Sequence, residues 1–176
     1  MSVLRVGMIG AGMIAQVEHI PNLLKLKDVF EIVGVSDPSE SGRRFIADTF
    51  GVRAVPAAED LLAKKLDAVV IACPDALHLD YTLAALAAGL HVFCEKPLTY
   101  APADIDRIIA ARNKAGKVVQ VGYMKRFDPH YEAALRLMPS TREKLRYVAV
   151  EVNDPDAWPF VRHHATFAAQ DVASDL

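Results

Sequence analysis

An α/β fold, a doubly wound parallel sheet with helices on both faces, is predicted by three observations. Val3 to Ile9 is a short apolar run rich in β-branched residues that leads straight into Gly10-x-Gly12-x-x-Ala15, a strand-to-helix turn. Apolar runs of strand length and stretches of helix length then alternate along the chain. Finally, Asp67-Ala-Val-Val-Ile-Ala-Cys73 is apolar without a period of two, which suits a strand covered on both faces. The strand order expected for this class is 3-2-1-4-5-6.

Taken in order, Met13 to about Lys27 reads as a helix that Pro21 breaks or restarts near its middle. Glu31 to Ser36 is the second strand, Glu40 to Phe50 a helix closed by Gly51, and Val52 to Val55 a short third strand. A short helix over 58–65 precedes the apolar strand of 67–73. Asp75 then caps a helix from Ala76 to Ala88 that ends at Gly89, and His91 to Cys94 is the fifth strand. The helix from Tyr100 to Ala115 sets Ile105, Ile108 and Ile109 on one face and stops at Gly116; Lys117 to Tyr123 follows as the sixth strand. Asp128-Pro129 starts a helix of His130 to Met138, and Leu145 to Val152 reads as one more strand. Asp154 to Pro159 is turn-rich, and Thr166 to Leu176 is compatible with a helix. The regular alternation of strands and helices ends near residue 125, and the expected dinucleotide-binding domain is 1–125.

The totals exclude several classes. Twenty Lys plus Arg against 22 Asp plus Glu, a formal net charge of -2, argue against nucleic acid or an anionic membrane as partner. The longest apolar runs are far too short to span a bilayer and the N-terminus lacks the layout of a signal peptide, so a cytoplasmic location is expected. Cys73 and Cys94 have neither CxxC nor Cys/His metal spacing, so reduced thiols and no metal are expected.

Chemistry concentrates at strand ends. In the turn, Gly10 permits a tight reversal, Gly12 removes the Cβ that would hold a pyrophosphate off the backbone, and Ala15 lets the helix pack on the strand. The helix N-terminus adds free N–H groups and a positive dipole end. A purely structural turn is the competing reading. Asp37, at the end of the second strand, stands where a carboxylate binds an adenosine ribose diol, or else it caps the next helix. Its charge repels a 2'-phosphate, so NAD is favoured over NADP, although Arg43 and Arg44 nearby keep NADP possible. Glu95-Lys96-Pro97 arrives at the carboxyl edge of the sheet, where ligands of such sheets bind; a solvated surface lysine is the alternative for Lys96. His163 and His164, being adjacent, point different ways and read as surface residues.

Together, Gly10-Ala-Gly12-Met-Ile-Ala15, Ser36-Asp37, Cys73-Pro74-Asp75 with His78, Glu95-Lys96-Pro97, and Gly122-Tyr123 with Arg126-Phe127 resemble the glucose-fructose oxidoreductase, inositol dehydrogenase and rhizopine-catabolism (Gfo/Idh/MocA) family over about residues 3 to 150. The resemblance implies a Rossmann-type domain and a nicotinamide cofactor held by Gly10, Gly12, Met13, Ile14, Asp37 and Arg43 on one side. On the other it implies Cys73, Pro74, His78, Glu95 and Lys96. Lys96 would stand beside the reacting hydroxyl of a sugar or polyol as the catalytic residue, with Tyr123 and Arg126 as further substrate contacts, and the Lys96-Pro97 peptide is often cis in such proteins. Two departures stand out: Cys73-Pro74-Asp75 replaces the usual Thr-Pro-Asn, and the Gly-rich segment with an Asp and a His that handles the substrate proton has no counterpart in 153–176. The resemblance also implies that 126–176 are a linker helix with the first part of an incomplete α+β substrate and oligomerisation domain, so the expectation is an NAD-dependent oxidoreductase part that binds cofactor without completing catalysis. A redox-inactive binding module that acts with another chain is the competing reading. A bare edge along Tyr147-Val148-Ala149-Val150 would favour homo-oligomers.

Overall fold

In the computed structural model, residues 2–139, 142–151 and 161–172 are described. Six parallel strands, β1 (Leu4–Ile9), β2 (Phe30–Ser36), β3 (Ala54–Val55), β4 (Ala68–Ile71), β5 (His91–Cys94) and β6 (Val119–Val121), form one sheet in the order β3-β2-β1-β4-β5-β6. That is the expected order. β1 runs centrally, with Ile9 opposite Ser36 of β2 and Ile71 of β4, so three strand ends meet at one edge.

The apolar run in β4 explains itself once the sheet is built. Val69 and Ile71 point into a core with Leu61, Leu86, Val92, Cys94 and Ile108, while Val70 and Ala72 join Met8, Ile20, Val35 and Ile46 on the opposite face. Both faces are therefore covered. The helices are α1 (Ile20–Lys25), α2 (Glu40–Phe50), α3 (Ala58–Leu62), α4 (His78–Ala87), α5 (Pro102–Ala115) and α6 (Pro129–Leu137).

Their ends follow local chemistry. Ser39 Oγ accepts from Gly42 N at 2.8 Å to cap α2, Asp128 accepts from His130 N to cap α6, and Gly51 and Gly116 close α2 and α5 with φ of 67° and 64°. Pro21 does not break the first helix: the backbone stays helical from Met13, through a π-helical segment over Ala15–His19, into α1, whose first turn accommodates the proline. Elsewhere the expectations shift. Asp75 lies inside a 3-10 turn (Asp75–Leu77) ahead of α4 rather than at its cap. Of the three isoleucines on α5, which packs beside α4, only Ile108 is buried, and Ile105 and Ile109 are left 37% and 42% exposed.

Two expected elements are absent from the described residues. Leu145 to Glu151 forms no strand, since no neighbouring strand offers it a ladder; Tyr147, Val148 and Val150 stand 83%, 61% and 82% exposed. Val152 and the turn-rich stretch 154–159 lie outside the described residues. Residues 166–172 are not helical but irregular, with a bend at 171–172, for their polar groups bond to Gln16, Ser39 and Ser41 instead of to one another; 173–176 lie outside the described residues.

The fold makes two measurable demands. A Cβ on Gly10, whose φ is 99°, would sit 2.5 Å from Ala72 O and 2.6 Å from Cys73 N, both backbone atoms that cannot swing away. Gly10→Ala should therefore cost about 2 kcal/mol or more in urea unfolding, and an unchanged midpoint would refute this reading. The second demand concerns Cys73 and Cys94, whose thiols burial pushes up to about 12. A raised thiol pKa leaves less thiolate at pH 8, so Ellman's reagent should react on the order of a hundredfold more slowly with native than with unfolded protein.

Candidate functional site

Where β1, β2 and β4 end, the chain leaves a groove of about 670 Å³. It lies at the point where connections depart to opposite sides of the sheet, the position at which open α/β sheets bind ligands, and its size is ordinary for a small-molecule site. Gly10, Gly12, Met13 and Ile14 form one wall, Ser36 and Asp37 the next, and Cys73 and Pro74 a third.

Hydrogen bonds hold the glycine turn. Gly10 N donates to Ser36 O at 2.8 Å, and Ala11 N donates to Asp37 Oδ2 at 2.8 Å. Asp37 Oδ1 accepts from Ser39 N at 2.9 Å, so its carboxylate joins the turn to the start of α2. The cap itself is Ser39, which removes the competing role of Asp37 as cap. Each Asp37 oxygen keeps a second lone pair for a ligand hydroxyl. Gly12 faces open space, since a Cβ there would meet nothing within 4 Å. Ser36 Oγ is buried in the groove lining with no hydrogen-bond partner among the described residues.

Other expected residues lie apart from the groove. Arg43 Nη1 donates to Asp37 O and Pro38 O, both at 2.8 Å, and so folds back on its own turn; Arg44 pairs with Glu40. His78 is 1% exposed and lies behind the groove, its ring nitrogens 2.7 Å from Pro97 O and 3.0 Å from Cys73 O. Both partners are carbonyls, which only accept, so a ring nitrogen that carries a proton donates to the carbonyl facing it. The ring thereby ties the exit of β4 to the turn after β5, where the Lys96-Pro97 peptide is cis. Lys96 is exposed on that turn, and none of the ion pairs among the described residues engages it.

Glu95 turns toward a second cavity of about 530 Å³, which it lines with His19, Gln120, Tyr123 and Phe127. Glu95 Oε1 lies 2.9 Å from His19 Nε2, and Oε2 accepts from Lys96 N at 3.2 Å. Gly122 leaves that carboxylate room, for a Cβ there would lie 3.1 Å from it. Arg126 is exposed in a 3-10 turn over Met124–Phe127. His19 escapes a reading of the sequence because it meets Glu95 only across the sheet edge, at a separation of 76 residues.

A segment that the sequence does not mark completes the groove. Phe167, Ala168, Ala169 and Val172 line it from the solvent side. Buried Gln16 clamps the backbone there: its Oε1 accepts from Phe167 N at 2.8 Å and its Nε2 donates to Phe167 O at 2.9 Å and to Ala11 O at 2.7 Å. The Phe167 ring stacks on Phe45 at 5.5 Å. Further along, the Asp171 carboxylate accepts from Ser39 Oγ at 2.5 Å, Ser41 Oγ at 2.6 Å and Ser41 N at 2.9 Å. These hydroxyl and amide donors hold its carboxyl well below the usual carboxylate range. Among the described residues no three His, Cys, Asp or Glu side chains gather as a metal site, and no helix is long and apolar enough to cross a membrane.

Comparison with known proteins agrees with this geometry. The Gfo/Idh/MocA family model, described as an oxidoreductase family with an NAD-binding Rossmann fold, matches residues 4–123. Inositol 2-dehydrogenase 3 of Saccharopolyspora erythraea is 36% identical over 171 residues, 96% of this chain and 50% of that enzyme. Inositol 2-dehydrogenase of Klebsiella pneumoniae (strain 342) is 39% identical over 139 residues, 77% of this chain and 41% of that enzyme. Among solved structures, a 3-ketoreductase from Actinomadura kijaniata in complex with NADP and TDP-benzene superposes with a TM-score of 0.71 at 29% identity, covering 77% of this chain and 42% of that one. Myo-inositol 2-dehydrogenase from Lactobacillus plantarum gives 0.71 at 26% identity, over 77% and 41%. The chain thus spans about half the length, or less, of these relatives. From the glycine turn to β6 it belongs to the Gfo/Idh/MocA oxidoreductase family and carries that family's NAD-binding Rossmann domain.

Proposed function

We propose that residues 1–125 bind NAD, in preference to NADP, as the dinucleotide domain of a dehydrogenase acting on a sugar or cyclitol hydroxyl, and that 126–176 begin its substrate domain. The observation that carries this reading is the open backbone at Gly12, beside a glycine turn braced by Asp37 in a groove of about 670 Å³. A dinucleotide fits what is there. The orphaned Ser36 hydroxyl and the second lone pairs of Asp37 await polar partners, and the amides of Gly12 to Ile14 at a helix N-terminus suit a pyrophosphate. When bound, the nicotinamide supplies a hydride acceptor.

The chain's own part follows from position. Asp37 orients the adenosine ribose. Cys73 and Pro74 shape the middle of the groove, and burial keeps the Cys73 thiol neutral, so it adds no charge beside the phosphates. Lys96, at the end of β5, hydrogen-bonds the substrate hydroxyl and polarises it as the hydride leaves carbon; Tyr123 and Arg126, exposed just after β6, face the same substrate. Identity of 36–39% to inositol 2-dehydrogenases supports a polyol as that substrate. Proton transfer and most substrate positioning fall to groups beyond these, so residues 1–176 alone bind cofactor without steady turnover. Association between copies belongs to the same proposal, because the exposed Tyr147, Val148 and Val150 favour a covering surface.

Calorimetric titration with NAD tests the groove. Gly12→Ala should leave the urea midpoint unchanged while weakening NAD about tenfold or more, because the new Cβ meets only the ligand. Absence of saturable NAD binding to the unaltered chain would overturn the proposal. Steady NADH production from myo-inositol by residues 1–176 would overturn the assignment of proton transfer to groups outside them. For association, Val148→Lys should shift light-scattering mass toward the monomer, and a clean monomer before substitution would remove that part.

A further inference from the structure

The segment across the groove contains a feature that the family's glycine turn does not explain. Asp171 places a carboxylate on three donors, Ser39 Oγ, Ser41 Oγ and Ser41 N, at the start of the eleven-residue helix α2. This is an anion seat in use, since a helix N-terminus and two hydroxyls converge on one negative group. The seat adjoins Asp37, whose Oδ1 accepts from Ser39 N at 2.9 Å. Resting on the reading of Asp37 as the ribose ligand, the seat lies beside the 2' position of the adenosine ribose, where NADP carries its additional phosphate and NAD does not.

We propose that Asp171 is a specificity-determining residue: its carboxylate fills the seat that a 2'-phosphate requires, so the groove accepts NAD and refuses NADP. Four features of the structure support this. The carboxylate is delivered by an anchored segment, for the Gln16 clamp on Phe167 and the stacking of Phe167 on Phe45 hold the chain four residues upstream. Neither nearby guanidinium donates to the seat, since Arg43 Nη1 donates to the carbonyls of Asp37 and Pro38 and Arg44 pairs with Glu40. Two carboxylates, Asp37 and Asp171, then flank the 2' position, and like charges oppose a phosphate dianion. Finally, the groove keeps about 670 Å³ with the segment in place, so Asp171 leaves it open to a ligand. The device is assembled from residues 130 and 132 positions apart, so no short motif announces it.

Calorimetric titration of residues 1–176 with NAD and with NADP tests the filter, using Asp171→Ala, the near-isosteric Asp171→Asn, and Asp48→Ala as an exposed acidic control on the same helix. Both Asp171 variants should bind NADP about tenfold more tightly than the unaltered chain does, with NAD changed by less than about threefold; Asp48→Ala should move neither by more than about twofold. Adding Ser41→Ala to Asp171→Ala should take back most of the NADP gain, because the vacated seat then lacks a donor. A NADP-to-NAD affinity ratio that stays within about threefold, or that moves equally in Asp48→Ala, would overturn the proposal. Loss of both dinucleotides in the Asp171 variants would also overturn it, by showing the segment to be a supporting wall. Failure of the unaltered chain to bind either dinucleotide overturns the groove reading itself, a result visible before any variant is titrated.

Discussion

The close passage of Gly10 against the backbone of Ala72 and Cys73 is the constraint on which the groove depends. With φ at 99° and no Cβ, Gly10 turns the chain out of β1 while the carbonyl of Ala72 lies where a side chain would begin. Only a glycine combines that φ with that approach. Because β1 pairs with β2 on one side and β4 on the other, the same turn sets how closely three strand ends converge and therefore the width of the groove. The bonds from Gly10 N to Ser36 O and from Ala72 N to Ile9 O then lock this edge.

Work at the end of β2 is divided between two neighbouring polar residues. Ser39 satisfies the first amides of α2, which leaves the Asp37 carboxylate to hold the glycine turn through Ala11 N and to face the groove. A single residue doing both would have to choose between capping geometry and ligand geometry. A similar division holds at the end of β5. Glu95 is occupied with His19 and its own turn, and His78 ties that turn to β4, so Lys96 projects from a braced loop without being neutralised by its neighbour's carboxylate. Loop residues that carry chemistry gain precision from such braces.

Residues 167–172 show how a surface segment with no regular structure acquires a defined place. It takes part in one buried clamp with Gln16, one ring stack with Phe45 of α2 and one carboxylate bound by three donors at the start of the same helix. None of these alone would order an extended chain against its conformational entropy. Phe167 meets Gln16 and Phe45, Asp171 meets Ser39 and Ser41 four residues further on, and these contacts fix the path. It also brings a second acidic residue close to Asp37, for Asp171 bonds Ser39 and Ser39 N donates to Asp37.

Local rules suffice for much of this protein. The non-alternating run of β4, the glycines that end α2 and α5 and the strand order all follow from side-chain volume, backbone freedom and periodicity, which act within a few residues or belong to every doubly wound sheet. The glycine turn, Asp37 and Cys73-Pro74 are legible for the same reason, since each sits at the end of its own strand. Other features depend on separations that a sequence does not display. Arg43 spends its guanidinium on its own turn, His78 faces inward, and His19 meets Glu95 from another element. An apolar stretch such as Tyr147 to Val150 is a strand only if a neighbour offers it a ladder, and here none does. The course of 166–172 is decided the same way, because what these residues bond to lies on elements more than a hundred residues earlier. Propensity is local, whereas hydrogen-bond partners and packing partners are chosen by the tertiary structure.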